Sequence, residues 1–344
     1  MSQWVFHVDL DQFIAAVEVL RRPELREMPV VVGGDGDPTK RGVVSTASYE
    51  ARAFGVRSGM PLRTALKRCP DAVFLPVDAE IYLAASRDVM ETLRSFPAVV
   101  EVAGWDEAFM QVESDDPEAL AREVQRAVLE RTELWCTIGI GDNKLRAKIA
   151  AGFGKPAGVF RLTREDWPEV MGGLTTDALW GIGKKTSRKL EALGIRTVEA
   201  LAHADEAALA ETFGPSTGPW LRRLASGEDD SLVSAEPYVA RGHGKERTFQ
   251  EDLVEPERIR TEVGRLAREL LEDLREEARP AVRVVVKVRF APFFTSTHGV
   301  RVDPPTLEAA AIEAAALAAL AKFELDRPVR LLGVRAELAP PLAT

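Results

Sequence analysis

Trp4-Val5-Phe6-His7-Val8 is a nearly continuous apolar run that ends in acid at Asp9, and no feature restricts the fold of this chain more. Such a run is expected of a strand buried on both faces, where an unpaired carboxylate costs several kcal/mol. No basic residue stands beside it in sequence. Much later, Val99 to Ala103 and Ala108 to Val112 are two β-prone runs joined through Gly104-Trp105-Asp106-Glu107, which reads as a hairpin with acids at its tip. Alone, that hairpin is an ordinary solvated turn. Together with Asp9 it points to a divalent cation, because Mg²⁺ takes carboxylates along with the phosphate oxygens of a substrate. Two such ions about 4 Å apart, bridged by Asp9 and Asp106, would form the clamp used for in-line displacement at phosphorus.

A length of 344 residues calls for more than one compact unit. The net charge of -9 argues against a non-specific polycation but leaves nucleic acid open, since only the field of the contacting groove matters. Cys69 and Cys136 lack metal spacing and read as reduced core residues. With no apolar stretch of membrane-spanning length and no leader-like start, a soluble, cytoplasmic protein without membrane contact is expected.

Along the chain, Gln12 to Arg21 is helical in pattern with Phe13, Val17 and Leu20 on one face. Ile14 lies about 100° round from it, away from the main core and close to Asp9. Strands are expected at 29–34 and 42–46, joined by a polar loop. A short helix from Ser48 to Val56 follows and places Tyr49 and Arg52 one turn apart, a pair that suits phosphate oxygens or is simply core Tyr and surface Arg. From Leu75 the order is strand, helix (79–96), hairpin, helix (117–132), strand (136–140) and a helix from Asp142, its N-cap, to Ala151. In the loop 152–158, Lys155 is held between Gly154 and Pro156 and could meet a triphosphate or water. Leu179-Trp180-Gly181-Ile182-Gly183-Lys184-Lys185 with the tail Leu190 to Ile195 has the helix-hairpin-helix signature, a tight turn that opens a helix N-terminus towards a DNA phosphate. After an acidic linker, a four-stranded sheet with two helices is expected. In it, Arg283, Lys287 and Arg289 alternate with valines, either as a duplex-backbone groove or as a solvated face.

His7-Val8-Asp9-Leu10-Asp11-Gln12-Phe13, Ser48-Tyr49-Glu50-Ala51-Arg52, Trp105-Asp106-Glu107-Ala108, Asn143-Lys144, Lys155-Pro156 and the Gly-Ile-Gly hairpin, in that order, resemble the Y-family translesion DNA polymerases of the polymerase IV (DinB-like) branch. The resemblance covers essentially the whole chain. It implies an α+β, multi-domain right-hand polymerase: palm over 1–11 and 76–165, fingers over 12–75, a helix-hairpin-helix thumb over 166–232, a linker over 233–240 and a little finger over 241–344. It assigns Asp9, Asp106 and Glu107 to two Mg²⁺ ions, for which Mn²⁺ can substitute, with Leu10 giving a backbone carbonyl. Tyr49, Arg52 and Lys155 fall on triphosphate positions and Phe13 beside the sugar, while Asp11 belongs to the motif but is not carried over as a metal ligand. Ser45, Thr46 and Ala47 border the nascent base pair. Gly181, Gly183, Lys184, Lys185, Arg283, Lys287 and Arg289 face DNA. Primer-template DNA and dNTPs are the implied partners of a bacterial, monomeric enzyme acting at the nucleoid.

Two departures stand out. The residue after Phe13 is aromatic in the family, where its ring excludes a 2′-hydroxyl; here it is Ile14, so a relaxed sugar gate and the use of rNTPs are expected. The chain ends Leu338-Ala339-Pro340-Pro341-Leu342-Ala343-Thr344, without the Gln-and-Leu/Phe peptide that binds a sliding clamp, so that contact is not expected. Two other readings compete. A nucleotidyl cyclase or other palm-type nucleotidyltransferase needs no helix-hairpin-helix. A catalytically impaired, polymerase-like DNA-binding accessory protein should lack at least one of the three carboxylates.

Overall fold

The structure, a computed structural model, describes residues 2–341; of the C-terminal stretch read above, Leu342 to Thr344 lie outside them. The described strands are β1 (Ser2–Leu10), β2 (Val30–Val32), β3 (Thr46–Ala47), β4 (Val73–Leu75), β5 (Val99–Val102), β6 (Glu107–Ser114), β7 (Cys136–Gly141), β8 (Val159–Leu162), β9 (Gly242–Leu253), β10 (Ala281–Phe290), β11 (Phe294–Thr306) and β12 (Val329–Leu338). They form sheets ordered β5-β6-β1-β7-β8, β3-β2-β4 and β11-β10-β12-β9.

The chain divides into two compact units. The first joins the residues up to 36 with 44–58 and 68–237; the second joins 37–43 and 59–67 with the chain from 238 on. The 12–75 segment is therefore not one block, as read from sequence. Within the second unit, Arg41 shows why its loop belongs there: its guanidinium donates to Phe249 O at 2.9 Å and Asp252 Oδ1 at 2.5 Å, and its amide to Gln250 Oε1 at 2.7 Å.

In the first unit β1 is central, antiparallel to both β6 and β7, as its unbroken apolar run requires. Phe6, Val8 and Leu10 point into a core with Met110, Val112, Ile138 and Ile140. Helices Ala79–Arg94 and Pro117–Thr132 supply Tyr82, Val89, Leu93, Val124 and Val128 to that core. The opposite face carries helix Lys144–Gly154, which lies so close to β7 that a Cβ on Gly139 would overlap Ala147 O and Ala151 N. Gly139→Ala is expected to destabilise the fold by about 3 kcal/mol, since backbone cannot yield as a flexible side chain would. Urea unfolding checks this, and an unchanged midpoint would mean that the helix is not seated there.

Two boundaries differ from expectation. The N-cap is Asn143, whose Oδ1 accepts from Arg146 N at 2.8 Å, while Asp142 pairs with Arg146 at 2.6 Å. The helix also runs on through the glycines of the expected 152–158 loop and ends at Lys155, because Gly154 sits against Thr137 and Phe160, where a side chain would crowd. The strand expected at 42–46 shrinks to β3 at Thr46–Ala47, with Val43 making only a single bridge, to Pro61.

Residues 167–225 pack short helices, including Lys184–Ala192, Glu206–Phe213 and Thr217–Ala225, around Leu179, Ile182, Leu190, Leu201 and Leu221. In the second unit the antiparallel four-stranded sheet buries Val284, Val286 and Val288 under helices Pro256–Glu277 and Ala309–Leu320. Pro256 at the first helical turn and Ala278 in the left-handed region mark the ends of the longer helix. Among the described residues no helix is long and apolar enough to cross a membrane.

Candidate active site

The β1–β6 register sets Asp9 directly opposite Glu107, so Glu107 begins a strand rather than capping a hairpin tip. Asp106 precedes it in the loop, and its carbonyl accepts from Leu10 N at 2.8 Å, which ties the end of β1 to the acidic loop. Facing like charges on neighbouring strands repel. Burial, then the charge of Asp9, pushes the Asp106 carboxyl above the usual carboxylate range.

The expectation that these acids lack basic partners holds along the sequence but not in space. Lys155 Nζ lies 2.5 Å from Asp9 Oδ1, and Lys148 Nζ is hydrogen-bonded to Glu107 Oε2. Both lysines come from one helix and its C-cap, seven residues or two turns apart, and so reach the same side. His7, two residues before Asp9 on the same strand face, sits 3.2 Å from Glu107 Oε2. Hydrogen bonds from His7 and Lys148 hold Glu107 down to about 2. Burial lowers His7 below the usual imidazole value; its Nε2 lies 3.2 Å from Glu107 Oε2 and 3.1 Å from Lys148 Nζ, and its buried Nδ1 has no partner among the described residues.

The donor set fits a hard divalent cation: two Asp and one Glu offer oxygens, and ammonium groups already stand against two of the three carboxylates. Ligand atoms of His7, Asp9 and Glu107 lie within 4.8 Å of one another, a grouping that includes His7 and leaves Asp106 outside it.

Tyr49, at the start of helix Tyr49–Ala53, gives its hydroxyl to Asp11 Oδ1 at 2.8 Å, and its amide donates to Gln12 Oε1 at 2.6 Å. Arg52 donates from Nε to Ala47 O at 2.9 Å, with its guanidinium 5.1 Å from the Tyr49 ring centroid. The Tyr49 proton is thus committed to Asp11, while the terminal nitrogens of Arg52 have no hydrogen-bond partner among the described residues. Phe13 is 2% exposed and belongs to the core, and Ile14 packs half-buried at the rim of that core instead of clear of it. Thr46 lies half-buried in β3, paired with Val32.

The expected DNA-facing residues are not part of this cluster. Gly181 has φ +97° and Gly183 caps helix Lys184–Ala192, leaving Lys184 and Lys185 exposed at its first turn. In the second unit, Arg283, Lys287 and Arg289 do share the face opposite the valines. Arg283 is paired with Glu337 at 3.2 Å, and Lys287 reaches across Gly333 to Glu246 through a three-strand row that the missing Gly333 side chain leaves open. Arg289 is bonded to Thr295 Oγ1 at 2.9 Å and has no acidic partner among the described residues.

Comparison with known proteins places this geometry. The impB/mucB/samB family profile matches residues 8–152, and the profile of that family's C-terminal domain matches residues 240–339. The chain is 51% identical to "DNA polymerase IV 2" of Mycobacterium tuberculosis over 98% of both chains. It is 38% identical to "DNA polymerase IV 2" of Methanosarcina mazei over 96% of this chain and 90% of the other. Among solved structures it superposes on a Y-family DNA polymerase chimera, Dbh-Dpo4(243-245)-Dbh, with a TM-score of 0.86 at 26% identity, covering 97% of this chain and 98% of that one. It also matches an insertion ternary complex of Dbh DNA polymerase with a TM-score of 0.68 at 27% identity and the same coverage.

Proposed function

The chain belongs to the impB/mucB/samB family and is a Y-family DNA polymerase of the polymerase IV kind, and from that premise we propose that it extends a primer by two-metal phosphoryl transfer, copies damaged template with low fidelity, and discriminates poorly against ribonucleotides. The observation that carries the mechanism is the pairing of Asp9 with Glu107 at adjoining strand ends, with Asp106 crowded beside them. Asp9, Asp106, Glu107 and the Leu10 carbonyl would hold two Mg²⁺ ions, which supply charge neutralisation at the phosphates and a lowered barrier to deprotonating the primer 3′-hydroxyl. Little covalent work is left to the protein. Arg52 offers its open guanidinium edge to the triphosphate, and Lys155 reaches it by exchanging Asp9 for phosphate oxygens. Lys148 and His7 fix the carboxylate of Glu107 in one orientation.

On this reading the five-stranded sheet is the palm, the 167–225 helices the thumb and the C-terminal four-stranded sheet the little finger. Exposed Lys184 and Lys185 at a helix N-terminus suit a DNA phosphate. Small residues Ser45, Thr46 and Ala47 bordering the base pair would reject mispairs and bulky lesions weakly.

Primer extension on a DNA primer-template tests the reading. Extension is expected with Mg²⁺ or Mn²⁺, lost on chelation and regained when the ion is restored. Tight DNA binding without extension under any divalent ion would favour the accessory-protein alternative, against which all three carboxylates are present.

A further inference from the structure

The second acid of the first motif, Asp11, has no part in the mechanism above, yet it is 5% exposed and both of its carboxylate oxygens are used. Oδ1 accepts from Tyr49 Oη at 2.8 Å and from Thr137 Oγ1 at 3.1 Å. Oδ2 accepts from Ala157 N at 2.7 Å and from Thr137 Oγ1 at 3.2 Å. Asp11 is itself anchored, its amide donating to Trp135 O at 2.9 Å. One carboxylate thus joins the helix that carries Tyr49 and Arg52, the β7 strand, and the backbone two residues after Lys155. Ala157 has φ +52°, a left-handed conformation that a non-glycine residue keeps only when its surroundings hold it there.

We propose that Asp11 is a positioning residue for the incoming nucleotide: its buried carboxylate, by engaging the Tyr49 hydroxyl and the Ala157 amide, holds the Tyr49–Ala53 helix and the Lys155 segment together so that Arg52 and Lys155 present their charged groups to the triphosphate. The proposal rests on the reading of Arg52 and Lys155 as triphosphate contacts. The site suits a carboxylate, because Ala157 N–H can only donate, the two hydroxyls donate as well, and an acceptor-only group satisfies them all. An amide at this position offers a single acceptor oxygen: with its NH₂ towards Ala157 N–H it sets donor against donor, and with its NH₂ towards Tyr49 it turns that hydroxyl from donor to acceptor, so the node loses at least one of its charge-assisted bonds. A loosened Lys155 segment weakens nucleotide binding. It leaves untouched the metal carboxylates, which are fixed by the β1–β6 pairing, and the DNA grip, which lies on other elements.

The test uses the full chain and single-nucleotide addition of dGTP opposite template dC. Asp11→Asn is expected to raise KM for dGTP about tenfold or more while kcat falls much less and primer-template affinity, measured by fluorescence anisotropy, stays within about twofold. Thr137 gives a second route that leaves Asp11 in place: Thr137→Val, which removes the hydroxyl shared by both oxygens, should raise KM in the same direction, and Thr137→Ser, which keeps it, should restore the wild-type value. A merely structural node would instead lower the thermal midpoint without moving KM, in either series, and would overturn the proposal. Lys155→Ala separates the two layers. If it leaves KM unchanged, the triphosphate reading itself fails; if it raises KM while neither Asp11→Asn nor Thr137→Val does, the reading stands and the positioning role falls.

Discussion

Asp106→Ala is expected to cost several orders of magnitude in the rate of nucleotide addition while leaving the affinity for primer-template nearly intact. Asp9, Asp106 and Glu107 lie at or beside the adjoining ends of β1 and β6, whereas the groups proposed for DNA phosphates lie on the Lys184–Ala192 helix and the C-terminal sheet, so chemistry and grip should be removed by different substitutions. Losing one ligand of a two-metal site removes charge stabilisation at the reacting phosphorus, where it matters most. The substitution also relieves repulsion: burial and Asp9 already hold Asp106 above its usual range, so the metal-free protein should be no less stable without it. Single-turnover addition, anisotropy with labelled primer-template and thermal unfolding check the three parts. More than about a tenth of the wild-type rate in the variant would remove Asp106 from the site.

That argument needs the acids near one another, and their placement was legible in the sequence because Asp9 stands near the end of one apolar strand while Asp106 and Glu107 stand at the start of another. β1 and the helices Pro117–Thr132 and Pro256–Glu277 fall where their patterns put them, the two helices opened by Pro and the long one closed by a left-handed residue. The cations around the acids were not legible. Lys148 and Lys155 are more than forty residues from the acids they meet, and nothing short of the register between β1, β6 and the covering helix brings them together. His7 left a faint signal, since it shares a strand face with Asp9, but a histidine in an apolar strand is usually only packing. Glu18 shows the converse. It is 1% exposed and carries no functional meaning, because Arg21, Arg22 and the Tyr82 hydroxyl, at 2.7 Å, surround it, and two of those partners sit at helical spacing where sequence could have found them. The row of cations in the C-terminal sheet was legible as a face but not as a balance of charge, for Glu337 and Glu246 stand on neighbouring strands and reach Arg283 and Lys287 only through the observed registers.

Ile14→Phe is expected to switch the sugar preference of the enzyme, suppressing ribonucleotide addition selectively while deoxyribonucleotide addition survives. Exclusion of a 2′-hydroxyl in such a site is steric: a flat ring against C2′ leaves no room for an added oxygen, and a β-branched aliphatic side chain is shorter. A pocket that merely fails to clash separates hydroxyl from hydrogen by only about 1–3 kcal/mol, and rejection is far stronger where the extra group is forced against a wall. The structure supplies the condition the substitution needs. Ile14 is half-buried at the rim of the core, one residue after the buried Phe13, so a larger ring has an outward direction to occupy without overpacking that core. Its helix is fixed at its first turn by Gln12, whose left-handed backbone, φ 44°, turns the chain out of β1 and whose side chain holds the Tyr49 amide, so position 14 cannot drift away from the nucleotide. Single-nucleotide addition of rGTP and dGTP opposite template dC decides it. Wild type should use both, and Ile14→Phe should lose rGTP addition by about a hundredfold relative to dGTP, the size of a steric gate closing. Strong wild-type preference for dGTP, or an equal loss of both activities in the variant, would show that another side chain guards the 2′ position and that Ile14 is a packing residue alone.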